Sequence, residues 1–220
     1  LCNSRPKPRQ PTLAGYDALV RIGTRVWRTW GRMAMKWVRR IVVGVVAILL
    51  LAVIVSFFLP RNPVVTRSIE IDAPPETVFV FVSDLRQFNE WSPWFNRDPD
   101  ATYTFTGPAE GVGQTMRWES DNPEVGSGTM TIDRIEPDSE VEMSLAFAGQ
   151  GPATAWVTLE PSGAVTEVTW GFTTDLGFNP VGRYFGMMFD GLIGPDYERG
   201  LEQLKALAEN PPEPANEDEG

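Results

Sequence analysis

Nineteen consecutive residues, Ile41 to Leu59 (IVVGVVAILLLAVIVSFFL), contain no charged side chain. At about 1.5 Å per helical residue they reach about 28 Å, close to the hydrocarbon thickness of a bilayer. The run therefore predicts a membrane-spanning helix and splits the chain into two parts that meet different solvents. A buried core helix is the first alternative, but it ordinarily needs only about 10–14 apolar residues and tolerates polar interruption. A cleaved signal peptide is the nearer one, yet Phe57, Phe58, Leu59 and Pro60 provide no small-residue cleavage site.

Charge orients the span. Residues 1–40 hold ten Lys and Arg against one acid, a net of plus nine, whereas residues 61–220 hold nine against twenty-eight, a net of minus nineteen. Arg32, Lys36, Arg39 and Arg40 stand just before the apolar run. Positive charge stays inside, so the N-terminus is expected in the cytoplasm and the acidic C-terminal part outside it, at the cell surface or in a periplasm. Cys2 is the only cysteine and lies on the other side of the span, so the outer part folds without a disulfide. Its acidity argues against nucleic acid as a partner. The chain has no histidine, the residue most used for proton transfer near neutrality and the commonest metal ligand. Neither a metal nor another cofactor is expected.

The segment before the span admits two readings. MAMKWVRR from Met33 has the form of a natural membrane-anchor start, which makes residues 1–32 or 1–34 a translation-start artefact. Otherwise Arg21, Arg25, Arg28, Arg32, Lys36 and Arg39 form a basic stripe opposite Leu19, Val26, Trp30, Met33 and Trp37. That pattern is an amphipathic helix lying on anionic lipid.

Beyond a linker at Pro60–Pro63, VVTRSIEIDA alternates through Val65, Ile69 and Ile71 and reads as a strand. Pro75 suits the first position of a helix, with Glu76 near its positive end. Val78, Phe81, Val82 and Leu85 then form one apolar stripe. From about residue 101 the apolar period becomes two and persists through six segments. They are marked by Tyr103 and Phe105; Met116 and Trp118; Met130 and Ile132; Val141 to Phe147; Val157 and Leu159; and Val168, Trp170 and Phe172. Gly, Pro, Asp and Asn clusters of hairpin size separate them, which predicts an antiparallel meander. Asn179-Pro180 opens a helical stretch to about Glu209, expected to break at Gly194-Pro195. The tail from residue 210 to 220 is too polar and proline-rich to fold.

Two stretches, RSIEIDAPPETVFVFVSDLRQFNEWSPW (67–94) and GPDYERGLEQLKALAE (194–209), resemble the polyketide cyclase/dehydrase-type branch of the START-like, or SRPBCC, superfamily. The resemblance covers about residues 63–209. It implies an α+β helix-grip domain, a curved antiparallel sheet of about seven strands around a long C-terminal helix. It also implies an internal cavity for lipids, sterols, polyketides or other hydrophobic molecules. No invariant catalytic motif is carried over with it. One departure is TVFVFV, where Phe79 and Phe81 occupy a helix in which many members have tryptophan.

The candidate wall of such a cavity consists of Trp94, Phe105, Met116, Trp118, Met130, Met143, Phe147, Trp170, Phe172, Tyr184, Met187 and Met188. The same residues would serve as ordinary core if the sheet is filled. Methionine adapts its shape cheaply and suits walls that accept varied apolar ligands. Gly182, Gly186, Gly191 and Gly194 each cost a helix about 1 kcal/mol relative to alanine, which suggests a movable lid over 181–194. For chemistry, the acids and phenols to weigh are Asp84, Glu90, Glu119, Asp190, Tyr103 and Tyr184. Asp190, on the lid segment, and Glu90 are the candidate general acids, because a carboxylate buried in an apolar cavity has a raised pKa. Three functions follow from these residues. The first is a single-span membrane protein binding a hydrophobic molecule or lipid, the second a cyclase-like enzyme, and the third a protein-interaction module.

Overall fold

The structure is a computed structural model that describes residues 14–148 and 151–211, with side chains from residue 35 onward. The basic stripe at Arg21–Arg32 and the acidic tail beyond Pro211 lie outside the described side chains. The chain divides into two compact units, Leu1–Val55 and Ser56–Gly220. In the first, the helix α1 (Ala14–Ser56) contains one stretch long and apolar enough to cross a membrane, Met35–Ser56.

In the second unit, β1 (Val64–Ile71) is followed by two short helices, α2 (Pro75–Val82) and α3 (Leu85–Trp91), and a single 3-10 turn at Phe95–Arg97. Six strands come next: β2 (Thr102–Thr106), β3 (Thr115–Glu119), β4 (Gly128–Glu136), β5 (Glu140–Phe147), β6 (Pro152–Ser162) and β7 (Val165–Thr174). The chain closes with α4 (Pro180–Gly186) and α5 (Phe189–Glu209). All strands join one antiparallel sheet of order β1-β7-β6-β5-β4-β3-β2. The long pairing of β1 with β7, from Val64–Thr173 to Ile71–Thr166, returns the first strand to the last and leaves β1 and β2 as the edges. A register shift at Ile132/Arg134 adds a bulge to β4, which bends the sheet.

The apolar stripe of residues 78–85 is shared between two helices. Asp84 starts the second by accepting from the Arg86 amide at 2.9 Å, so Leu85 opens α3 rather than closing α2. Buried Gln114 fixes this corner to the β2–β3 hairpin. Its Oε1 accepts from Leu85 N at 2.7 Å, and its Nε2 donates to Asp84 Oδ1 at 2.6 Å and Ala109 O at 2.8 Å. Asp84 is thus a capping and corner residue. α5 runs along β1 and against α2 and α3.

Two features of the C-terminal helices differ from expectation. α5 continues through Pro195. Pro195 removes the N–H that would reach the Gly191 carbonyl, but Gly191 is exposed and its carbonyl is left to solvent. The break falls instead at Met187–Met188. Of the four glycines expected to loosen a lid, Gly186 and Gly194 are close-packing positions, whereas Gly191 has open space beside it. A Cβ on Gly186 would stand 2.7 Å from Leu176 Cδ1, and one on Gly194 would overlap the Arg67 guanidinium. Arg67 in turn holds Asp190 Oδ1 at 2.8 Å and Glu198 Oε1 at 2.7 Å, which ties both halves of α5 to β1.

Candidate functional site

The sheet supplies a floor of alternating inward residues. Met116 and Trp118 come from β3, Met130 from β4, Met143, Leu145 and Phe147 from β5, Ala155 from β6, and Trp170 and Phe172 from β7. Each is an every-second-residue neighbour on one face, as the pleat requires. Opposite them stand Phe189, Ile193, Asp196 and Tyr197 of α5, with Phe88 and Asn89 of α3. Ser92, Trp94, Tyr103 and the loop Pro123–Ser127 complete the wall. Together they line a partly open cavity of about 360 Å³. A second space of about 360 Å³ adjoins it, and Phe147, Phe172 and Phe189 line both, forming a partition of three phenyl rings.

The two tryptophans at the end of α3 and in the turn after it, Trp91 and Trp94, take different parts. Trp91 is fully buried, stands edge-on to Phe88 and Trp170, and donates from Nε1 to Phe81 O at 2.9 Å. It is core. Trp94 lies one turn on, edge-on to Trp170 and Tyr197 at 5.8 and 6.1 Å, and closes the cavity end. Trp170 stacks flat on Tyr197, with centroids 3.8 Å apart and planes inclined by 6°.

Trp94, Met116, Trp118, Met130, Met143, Phe147, Trp170 and Phe172 line the cavity. Four other expected wall residues do not. Phe105, on the edge strand β2, packs under the Arg86 guanidinium, whose carbon stands 4.9 Å from the ring centroid. Tyr184 is half-buried on α4, away from the lining. Met187 and Met188 occupy the turn between α4 and α5, 57% and 54% exposed, because Gly186 is the residue that faces inward there.

The two carboxylates considered for catalysis are also outside. Asp190 has a side chain 66% exposed, and its hydrogen bond to the Arg67 guanidinium holds its carboxyl below the usual carboxylate range. That is the opposite of a raised general acid. Glu90 is exposed on α3 and absent from the lining. Glu119 is likewise exposed and pairs with Arg117 at 2.5 Å.

The ionisable groups that do line the wall include Asp196, Tyr103, Tyr197 and Glu124. Asp196 is engaged by Arg97 at 2.5 Å and by Arg199 of its own helix. Burial pushes the Tyr197 phenol well above its ordinary range, and burial together with Asp98 raises that of Tyr103. Both phenols are therefore neutral donors across the physiological range. Among the described residues, no group of three or more His, Cys, Asp and Glu side chains could hold a metal ion. The arrangement offers apolar burial with a few polar groups, which suits the holding of a ligand.

The sequence reading missed Asp196, Arg97, Asn89 and the α5 face Phe189–Ile193–Tyr197. That face was legible as an i, i+4, i+8 stripe. Placing a helix break at Gly194-Pro195 cut it in two.

The family model described as polyketide cyclase / dehydrase and lipid transport matches residues 62–209. No curated protein matches the chain. Among solved structures, KanY is 18% identical with a TM-score of 0.50, the match covering 67% of this chain and 97% of KanY. A protein from Arthrobacter aurescens is 20% identical, with a TM-score of 0.48 and coverage of 72% and 92%. One from Chromobacterium violaceum is 17% identical, with a TM-score of 0.46 and coverage of 67% and 97%. At such identities these likenesses concern the fold alone. The family match spans well over half of the chain and coincides with the sheet, its cavity and the C-terminal helix, so the chain belongs to the polyketide cyclase/dehydrase and lipid-transport family of the START-like, or SRPBCC, superfamily.

Proposed function

We propose that this chain binds or carries a hydrophobic small molecule or lipid, held beside the membrane from which that molecule partitions. The observation that carries the reading is the apolar cavity of about 360 Å³, which lies within the range of about 300–1,000 Å³ usual for ligand sites. Apolar burial supplies affinity at about 25 cal/mol per Å², and the few polar wall groups supply orientation. The lipid-transport element in the family's description agrees with this use. In this proposal Met35–Ser56 spans the bilayer, the basic N-terminal segment is cytoplasmic, and the family domain lies outside the cytoplasm.

A feature of the second unit supports proximity to lipid. Phe178, Val181, Phe185, Met187, Met188 and Leu192 are all more than half exposed. Arg183 of α4 donates to the carbonyls of Ser56 and Phe57 at 3.3 and 3.2 Å, within the same unit. An exposed apolar patch of this kind suits a bilayer surface.

The test is identification of what the protein carries. The full chain, transferred from its native membrane into lipid nanodiscs and then extracted with organic solvent, is expected to release an apolar molecule enriched over the surrounding lipid at about one per chain. An extract identical in composition to the bulk membrane contradicts the reading.

A further inference from the structure

Asn89 of α3 lines the cavity and is 7% exposed. Its side-chain amide has no hydrogen-bond partner among the described residues, whereas the buried amide of Gln114 makes three such bonds. The Tyr197 phenol, in a residue 3% exposed, is likewise unpaired among the described residues. Neither group is sealed. Trp170 Nε1 is the one side-chain nitrogen or oxygen among the described residues that is both unpaired and closed to a water-sized molecule, so the Asn89 amide and the Tyr197 hydroxyl keep open surface. With so little of either residue exposed, that surface faces the cavity that both line. A buried polar side chain that does nothing for the fold calls for another explanation.

The two groups share one end of the cavity. Phe88, the neighbour of Asn89 on α3, stands edge-on to Trp170 at 5.9 Å, and Trp170 stacks on Tyr197, which Trp94 flanks at 6.1 Å. Phe189 lies eight residues before Tyr197 on the same face of α5, about 12 Å away at about 1.5 Å per residue. There it meets Phe172 at 6.2 Å and, with Phe147, forms the partition. The cavity is therefore polar at its Trp94 end and apolar at the other. Charge at the wall favours neither ion. Asp196 is already neutralised by Arg97 and Arg199 and leaves no countercharge for a cation, while among the described residues the wall holds the acids Asp196 and Glu124 and no Lys or Arg to receive an anion.

We infer that the cavity selects an uncharged apolar molecule bearing a hydroxyl, seated with that hydroxyl on the Asn89 amide at the Trp94 end and its apolar end against the three phenyl rings. The inference rests on the proposed ligand-holding role of the cavity. It adds an orientation and a specificity that burial alone does not give. A ligand filling the cavity strips Asn89 and Tyr197 of water, and a hydrocarbon leaves them unpaired. A hydroxyl both donates and accepts, so it answers an amide and a phenol alike.

Octanol and nonane form a matched probe pair, since one carries a hydroxyl where the other has a methyl group. Radiolabelled probes are titrated onto the full chain in phosphatidylcholine nanodiscs against empty nanodiscs, for the native protein and for Asn89→Leu. Partition of each probe into lipid is common to both proteins and cancels in the ratio of ratios. The preference for octanol is expected to be about tenfold greater in the native protein than in Asn89→Leu. An equal preference in the two proteins overturns the inference and leaves the cavity reading standing. Binding of neither probe by the native chain defeats the cavity reading, and the inference with it. Should Asn89→Leu fail to fold, a crystal of the native protein soaked with bromine-terminated octanol decides. The bromine is expected beside Phe172 and Phe189 with the hydroxyl on Asn89. Bromine at the Trp94 end overturns the inference alone, and a cavity without bromine defeats the cavity reading as well.

Discussion

Replacing Trp91 by alanine is expected to lower the stability of the second unit by about 3–5 kcal/mol. For a domain of this size that corresponds to a fall in melting temperature of roughly 10 °C, at about 2–4 °C per kcal/mol. Three effects add. The fully buried indole leaves a cavity between α3 and the sheet. Its edge-on contacts with Phe88 and Trp170 vanish. The Phe81 carbonyl, one of the last in α2 and without a partner inside that short helix, loses the indole N–H that satisfies it. Trp91→Phe restores most of the volume but not the donor, so it should fall between, at a loss of about 1–3 kcal/mol. Thermal or denaturant unfolding of both variants checks the order. A loss below about 1 kcal/mol for Trp91→Ala would show that this residue is not the stitch between α2, α3 and the sheet.

Ala155→Phe is expected to do the reverse, removing ligand while sparing the fold. Ala155 is 3% exposed on β6, registered between Met143 and Phe172, and contributes only a methyl group to the cavity wall. In a filled interior, an added phenyl ring forces neighbours off their rotamers and costs about 1–3 kcal/mol. In an interior holding about 360 Å³ of space, the ring enters the void. It then gains apolar burial and occupies the ligand's position. The melting temperature should therefore stay within a few degrees of the native value, while bound apolar molecule falls at least about tenfold. Destabilisation without loss of ligand contradicts this placement of the cavity.

The order of elements was readable because each rests on a local signal. Period-two alternation marked Met116/Trp118 through Val168/Trp170/Phe172, and the side-chain period of a strand assigns those residues to one face with no tertiary knowledge. The family-like stretches at 67–94 and 194–209 then set strand, helices and grip helix in sequence. What failed were features decided by one neighbour. Glycine in a helix reads as looseness until the opposing side chain is known, and for Gly194 that neighbour is Arg67, contributed by a strand more than a hundred residues earlier. Pro195 reads as a break until the exposure of Gly191 shows that the lost hydrogen bond can be replaced by solvent. Asp190 reads as a lid carboxylate until Arg67 pairs with it outside the cavity. Asp196 escaped notice for the complementary reason. An acid in an amphipathic helix looks like a solvated face, and only Arg97, brought in from the turn after Trp94, shows that it is turned inward and neutralised.

The central claim is that the bent sheet and α5 enclose real space lined by apolar side chains. Xenon tests it without assuming any ligand, since it enters dry apolar voids. A crystal of the protein pressurised with xenon is expected to show the gas among Met143, Ala155, Phe172 and Ile193, with the surrounding side chains unmoved. An interior that stays empty of xenon, with those side chains in contact across it, contradicts the account.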